Sequence, residues 1–453
     1  MSKFTDSLRN VWKIEELRQR LIFTGLMLLV VRVGSFIAVP GVDVSMLESA
    51  KLAGSGTLFG MFDMFVGGAY SNAAIFSLGI MPYISASIIV QLGGAVVPYF
   101  QKLQQEGEQG RRQLNAFTRY ITVFLSFAQG MAIAISLQTA DAGGGQSIVP
   151  ESVHGAPFIL MAATIFTAGT IFLMWIGEQI TEKGIGNGTS LIIFIGIIAQ
   201  LPVALAEEFE IVRSGTRNII VELVVIAALL GIIAMVVLFT QAQRRIPVNY
   251  AKRVSGNRPV GGTTSFIPIS MVTANVMPII FAQAIMFIPN SIPQLMGETA
   301  LGGFMARNFK YTDPLYALVF AVMIIFFTFF YTAIVFNPRD VAENMRKSGG
   351  YIPGVRPGKP TEEYLDNILM RVTVPGSLFL AVIAILPVFI GRLGVSGQFS
   401  QFFGGTSLLI MVGVALDTLK QVESYLLMRH YDGFMKSGRL RGRVPTASVR
   451  GQS

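Results

Sequence analysis

Ten stretches of about twenty mostly apolar residues limit what this chain can fold into, because a helix that crosses the hydrocarbon core of a bilayer needs about that length. They lie near residues 21–39, 74–97, 117–137, 157–177, 189–206, 218–240, 266–290, 314–336, 369–390 and 405–427. The chain is 52% hydrophobic and only 13% charged, outside the balance of soluble globular domains. An all-α polytopic membrane protein with ten spans is expected.

The basic residues orient it. The leader (Lys3, Arg9, Lys13, Arg18, Arg20), the segments 98–116, 241–265 and 337–368, Lys183 and the tail after 428 hold 25 Lys and Arg, whereas the alternate loops hold six. By the positive-inside rule both termini are expected in the cytoplasm. The leader runs into a full-length span without a small-residue cleavage site, so no cleavable signal peptide is expected. There is no cysteine, and His154 and His430 are expected on opposite sides. Disulfides, thiolate chemistry and a His-based metal site drop out, and neither metal nor cofactor is expected.

Divided into two sets of five, the spans show a coarse symmetry. The second span of each set is expected to be interrupted by proline, Pro82 in one and Pro278 in the other, and each then carries a glutamine, Gln91 or Gln283. Polar Ser85, Ser87 and Asn275 accompany the prolines. Paired interrupted helices point to a transport path between repeats; proline is also simply tolerated in membrane helices. Just before the first such span, "TLFGMFDMFVGGAYSN" is too short to cross. It reads as a re-entrant half-helix or as an interfacial loop helix.

Two loops are long and basic: "QAQRRIPVNYAKRVSGNRP" and "FNPRDVAENMRKSGGYIPGVRPGKPTEEYLDN". The Pro-Gly punctuation of the second predicts a projecting hairpin with Arg356 near its tip. Topology alone places positive charge here, but projecting basic loops also attract acidic partners or RNA phosphates.

Catalytic chemistry finds little support. Arg32, Glu222 and Asp417 are the main ionisable residues within spans, and none has an obvious partner in its own span. A serine–histidine hydrolase has no histidine at matching depth, and an ion-coupled carrier would show buried carboxylate or histidine relays. "GGTSLL" lacks the lysine of a nucleotide loop and "GIGNG" lacks a preceding strand, so both read as turns at helix starts. What remains is a path with apolar walls: Ile84 and Ile88, four apart, share a helix face. An apolar constriction can hold water back by dewetting while binding nothing tightly. These grounds narrow the transported species without naming it, and the paired proline-bearing spans leave a small-solute carrier open.

Six stretches then read together: "SLGIMPYISASIIVQL", "GEQGRRQLNAFTRY", "FLMWIGEQITEKGIGNGTSLIIF", "RRIPVNYAKR", "FFYTAIVFNPRDVAENMRKSGGYIPGVRPG" and "FGGTSLLI". In order and spacing they resemble the SecY family of protein-conducting channel subunits, from the first span through the tenth. The resemblance implies ten helices in two pseudo-symmetric halves, 1–209 and 210–453, closing as a clamshell around a central pore with a lateral opening to lipid.

It further implies an apolar pore ring at Ile84, Ile88, Ile193, Ile280 and Ile410, with Thr189 standing where relatives can carry isoleucine. It implies a plug containing Phe59, Met61, Phe62, Asp63, Met64 and Phe65, hinged at Gly67 and Gly68. A lateral gate is implied between the second and third spans and the seventh and eighth, with Gln91, Gln129, Asn275 and Gln283 near its seam. Arg244, Arg245, Lys252, Arg253 and Arg356 match positions that dock the ribosome or the SecA motor. SecE and SecG subunits, signal sequences, nascent polypeptides and membrane lipid are the other implied partners, in the bacterial cytoplasmic membrane, with no catalytic activity.

Overall fold

A computed structural model describes residues 14–43, 63–139, 148–150, 154–215, 219–250, 253–255, 258–260, 264–272, 276–296, 313–391, 395, 397–402 and 405–437. In chain order its helices are α1 (Glu15–Gly34), α2 (Met81–Val96), α3 (Pro98–Gln105), α4 (Glu108–Thr139), α5 (Ala156–Lys183), α6 (Gly188–Arg213) and α7 (Ile219–Gln241). After strands β1 (Gln243–Tyr250), β2 (Arg253–Ser255), β3 (Arg258–Val260) and β4 (Thr264–Ser270) come α8 (Met277–Met296), α9 (Pro314–Val335) and α10 (Pro338–Lys347). Strand β5 (Gly350–Tyr351) then leads to α11 (Lys359–Gly391), α12 (Gly397–Phe402) and α13 (Gly405–Ser437).

A long helix falls on each of the ten apolar runs. Among the described residues seven helices are long and apolar enough to cross a membrane, and α2 with α3 forms an apolar pair bent by 94°, a broken span or a re-entrant loop. Helix α1 misses that test because Glu15, Glu16, Arg18, Arg20 and Arg32 dilute it; α8 is the remaining one.

The prolines expected to interrupt the two weakened spans instead begin them. Pro82 occupies the first turn of α2, and Pro278 is the second residue of α8. Proline lacks the N–H that has no intrahelical partner there, and its fixed φ suits the first turn. The apolar residues preceding Pro82 are turns rather than helix. Their backbone survives at membrane depth because protein encloses it: Ala69, Ala74, Ser77 and Leu78 are completely buried. The Val39 N–H donates to Ala73 O and the Ile75 N–H to Ile37 O, both at 2.9 Å.

The seventh span is also shorter than expected at its start. Residues 264–270 form β4, which pairs antiparallel with β1 from Gln243↔Ser270 to Asn249↔Thr264. The alternation in "RRIPVNY" and "SFIPIS" carries the sheet: Ile246, Val248 and Ile269 point into one buried core. β5 pairs on the other edge of β1, giving the order β4-β1-β5.

Helices α1, α2, α4, α5 and α6 pack among themselves, as do α7, α8, α9, α11 and α13. Between the sets, α8 lies on α2 and α4, while α12 and α13 lie on α6. Helix α6 runs to Arg213, so a division after residue 209 falls in its last turn. Helix α7 buries little beyond Val225 and Val236 and leaves its other faces apolar and open, as a lipid-facing helix does.

Candidate pore, plug, gate and docking surface

Four helices from both sets each contribute buried isoleucine to one extended hydrophobic core. Ile84 and Ile88 come from α2, Ile193 from α6, Ile280 from α8 and Ile410 from α13, and all belong to the same hydrophobic cluster. Each is at most 4% exposed, so a waist formed by them would be shut to water. Thr189, half-buried, stands one turn before Ile193 on α6. Branched apolar side chains at such a point offer neither charge nor strong hydrogen bond to anything that passes, yet exclude water when packed.

Against this waist lies the end of the expected plug. Residues 63–66 are helical, and Met64 and Phe65 are buried; Phe59, Met61 and Phe62 fall outside the described residues. The Ser407 hydroxyl of α13 lies 3.5 Å from Met64 Sδ, linking this segment to the second set of helices. Asp63 closes the turn that follows, accepting the Ser71 N–H at 2.9 Å on Oδ1 and the Gly68 N–H at 2.8 Å on its carbonyl.

Gly67 and Gly68 have φ of 71° and 86°, a region that favours glycine. The chain there crosses α6 at Gly196 so closely that a Cβ on Gly196 would lie 2.5 Å from Phe65 O. Gly196 is three residues past Ile193 on α6, and the sequence reading missed it; a small residue just beyond the ring position was the available signal. Arg32, noted in the sequence only as an ionisable residue without an obvious partner in its span, donates from Nη1 to Gly67 O at 2.7 Å.

Helix α8 packs on α2 and α4, the elements between which the lateral seam is expected. Its polar groups are poorly matched. Gln91 Nε2 donates only to Ser87 Oγ on its own helix, at 3.1 Å, while Gln129 Oε1 on α4 and Gln283 Oε1 on α8 are buried without a hydrogen-bond partner. An unsatisfied buried acceptor costs about 1–3 kcal/mol, which keeps this contact from being as stable as an apolar one. Asn275 falls outside the described residues.

The two basic loops form one unit. β5 of the second loop pairs with β1 of the first through Asn249↔Tyr351 and Tyr250↔Gly350. Ile246, Val248, Ile269, Met345, Ile352, Leu365 and Leu369 fill a common core. The second loop is therefore no free hairpin: Arg356 sits in a turn just before α11, its carbonyl accepting the Thr361 hydroxyl at 2.8 Å. Arg244, Arg245 and Arg356 are all exposed on this unit. Arg253 lies in the β2–β3 hairpin at its far end, and Lys252 falls outside the described residues. The "GIGNG" turn is, as expected, a helix start: Asn187 caps α6, accepting the Ser190 N–H. Among the described residues no cluster of His, Asp or Glu could hold a metal.

A family profile described as SecY matches residues 74–419. Along 437 residues the chain is 46% identical to the protein translocase subunit SecY of Halalkalibacterium halodurans, covering 95% of this chain and 99% of that one. It is 43% identical to the Escherichia coli K12 protein translocase subunit SecY over 94% of this chain and 96% of that one. Among solved structures it superposes on a protein-conducting channel with a TM-score of 0.61 at 18% identity, covering 94% of this chain and 95% of that one. It superposes likewise on Sec61 in the canine ribosome–channel complex from the endoplasmic reticulum, with a TM-score of 0.60, 18% identity and the same coverage. The ten helices share that channel fold, and over nearly their whole length they keep the translocase sequence: this chain belongs to the SecY family.

Proposed function

We propose that this chain is the pore-forming subunit of a Sec translocon, conducting unfolded secretory polypeptides across the membrane and releasing hydrophobic segments sideways into lipid. The observation that supports the reading is one hydrophobic core that joins buried isoleucines of α2, α6, α8 and α13 with Met64 and Phe65, from both sets of helices. A translocating chain presents every side chain in turn, so its conduit must bind none of them; branched aliphatic walls meet that need. The chain itself performs no chemical step and is driven from outside. A small-solute carrier finds no support, since the prolines that suggested it start helices.

In this reading residues 1–209 and 210–453 are the two halves of a clamshell. The Ile84, Ile88, Ile193, Ile280 and Ile410 side chains are the ring, residues around 59–68 the plug, and the contact of α8 with α2 and α4 the lateral gate. Segments leaving through it are sorted by transfer energy, about −0.3 to −0.6 kcal/mol per Leu-like residue against about +2.5 to +3.5 per charge at the helix centre. The basic unit with Arg244, Arg245 and Arg356 docks the ribosome or SecA, and SecE and SecG complete the complex. The skewed distribution of Lys and Arg, 25 against six, puts this unit and both termini in the bacterial cytoplasm.

Reconstitution tests the whole: liposomes holding the chain with SecE and SecG, supplied with SecA, ATP and a secretory precursor, should accumulate protease-protected precursor. Vesicles that take up a small solute saturably, and never a precursor, would overturn it.

A further inference from the structure

Arg32 stands near the end of α1 among apolar neighbours. A charged side chain in a membrane span persists only where the protein supplies partners. Among the described residues its partners are neutral. Nη1 donates to Gly67 O at 2.7 Å, and the guanidinium lies over the Phe36 ring with 5.2 Å from Cζ to the centroid. The bond to Gly67 is charge-assisted, and such bonds are about twice as strong as neutral ones.

The place where it binds is unusually constrained. Gly67 has φ of 71°, and a Cβ there would lie 2.6 Å from Arg32 Nη1 and 2.8 Å from the Gly196 Cα. The chain leaving the Met64–Phe65 segment is thus held between a guanidinium on one side and the backbone of α6 on the other. Arg32, Phe65, Met81, Ile193 and Gly196 also line a common small cleft, so the clamp sits beside a ring isoleucine.

We infer that Arg32 is a latch that holds the plug in the closed channel, and that its bond to Gly67 O sets how readily a signal sequence opens the pore. The inference rests on the channel reading above and adds a positioning residue to it. Opening exchanges the Gly67 carbonyl for water at the guanidinium, so the latch is reversible. Removing it shifts the closed–open balance by about tenfold to a hundredfold, the range expected for a hydrogen bond to a charged group.

The natural absence of cysteine makes the test clean. In membranes holding the assembled complex, Met64→Cys with Ser407→Cys is bridged by a short thiol-reactive crosslinker, and resting ion conductance is measured alongside. Arg32→Met should lower the bridging yield and raise conductance about tenfold or more, and Arg32→Lys, which keeps a cationic donor, should fall between it and the parent. Should Arg32→Met fail to accumulate, Arg32→Lys carries the same readouts at smaller magnitude. Unchanged bridging and conductance at normal abundance would refute the latch. Ile410→Asn in the same membranes separates the two levels: a leak there with a silent Arg32→Met removes the latch alone, whereas no leak in either removes the channel reading and the latch with it.

Discussion

The waist and the basic unit are both built from segments distant in sequence, yet they are held together by different physics. At the proposed waist, Ile84, Ile88, Ile193, Ile280 and Ile410 belong to one large apolar core held by non-directional contacts. In the basic unit, β1 carries an unbroken ladder to β4 and a second pairing to β5, over a core that includes Leu365, completely buried, and Ile246. Apolar contacts can slide and reform as a gap widens, whereas a ladder loses its hydrogen bonds when strained. The proposed pore and the proposed docking unit thus differ in how each is held.

Four substitutions would break or sharpen that contrast. The largest effect is expected from Leu365→Ala, which leaves a cavity where the two basic loops join and lowers local stability by about 2–5 kcal/mol. Limited proteolysis should then cut the β1–β4 segment faster while resting conductance stays normal; a simultaneous leak would mean that waist and basic unit are one cooperative body. Next, Arg356→Glu should reduce precursor export by about a hundredfold, the scale of replacing a favourable charge contact with a repulsive one. Its abundance in the membrane should not change, and normal export would sink the docking assignment.

Smaller effects belong to the waist and seam. Ile410→Asn buries an amide without a partner at about 1–3 kcal/mol, so resting conductance should rise about tenfold and a precursor with a defective signal sequence should be exported. If neither changes, the ring assignment is wrong. Gln283→Leu should act the opposite way. It removes a buried unpaired oxygen, tightening the seam by about 1 kcal/mol, and export of precursors with weak signals should fall about fivefold. Increased export in that variant would contradict a seam held open-prone by mismatched polar groups.

The ten helices were legible because apolar runs of spanning length are unambiguous in lipid, where the backbone must bond to itself. Helix starts were less so. Pro82 looks the same in sequence whether it breaks a helix or begins one; the choice was made by tertiary bonds from Ile37 and Val39 that hold the preceding residues in turns. The sheet was hidden because "SFIPIS" continues an apolar run, so its period-two pattern merged with the span that follows. The ring positions became legible only through family resemblance, since isoleucine at helical spacing is ordinary in any membrane helix. Arg32 was visible as an oddity, but its partner, a glycine carbonyl 35 residues away, carries no side-chain signal at all.

Site-specific photocrosslinking in cells tests the central claim most directly, with the probe at Ile193 or Ile410 and an arrested secretory chain as the target. The account predicts a crosslink from the waist to the arrested chain that depends on its signal sequence. A probe that reaches only lipid or neighbouring helices while that chain is demonstrably engaged would contradict the assignment of the isoleucine waist as the conduit.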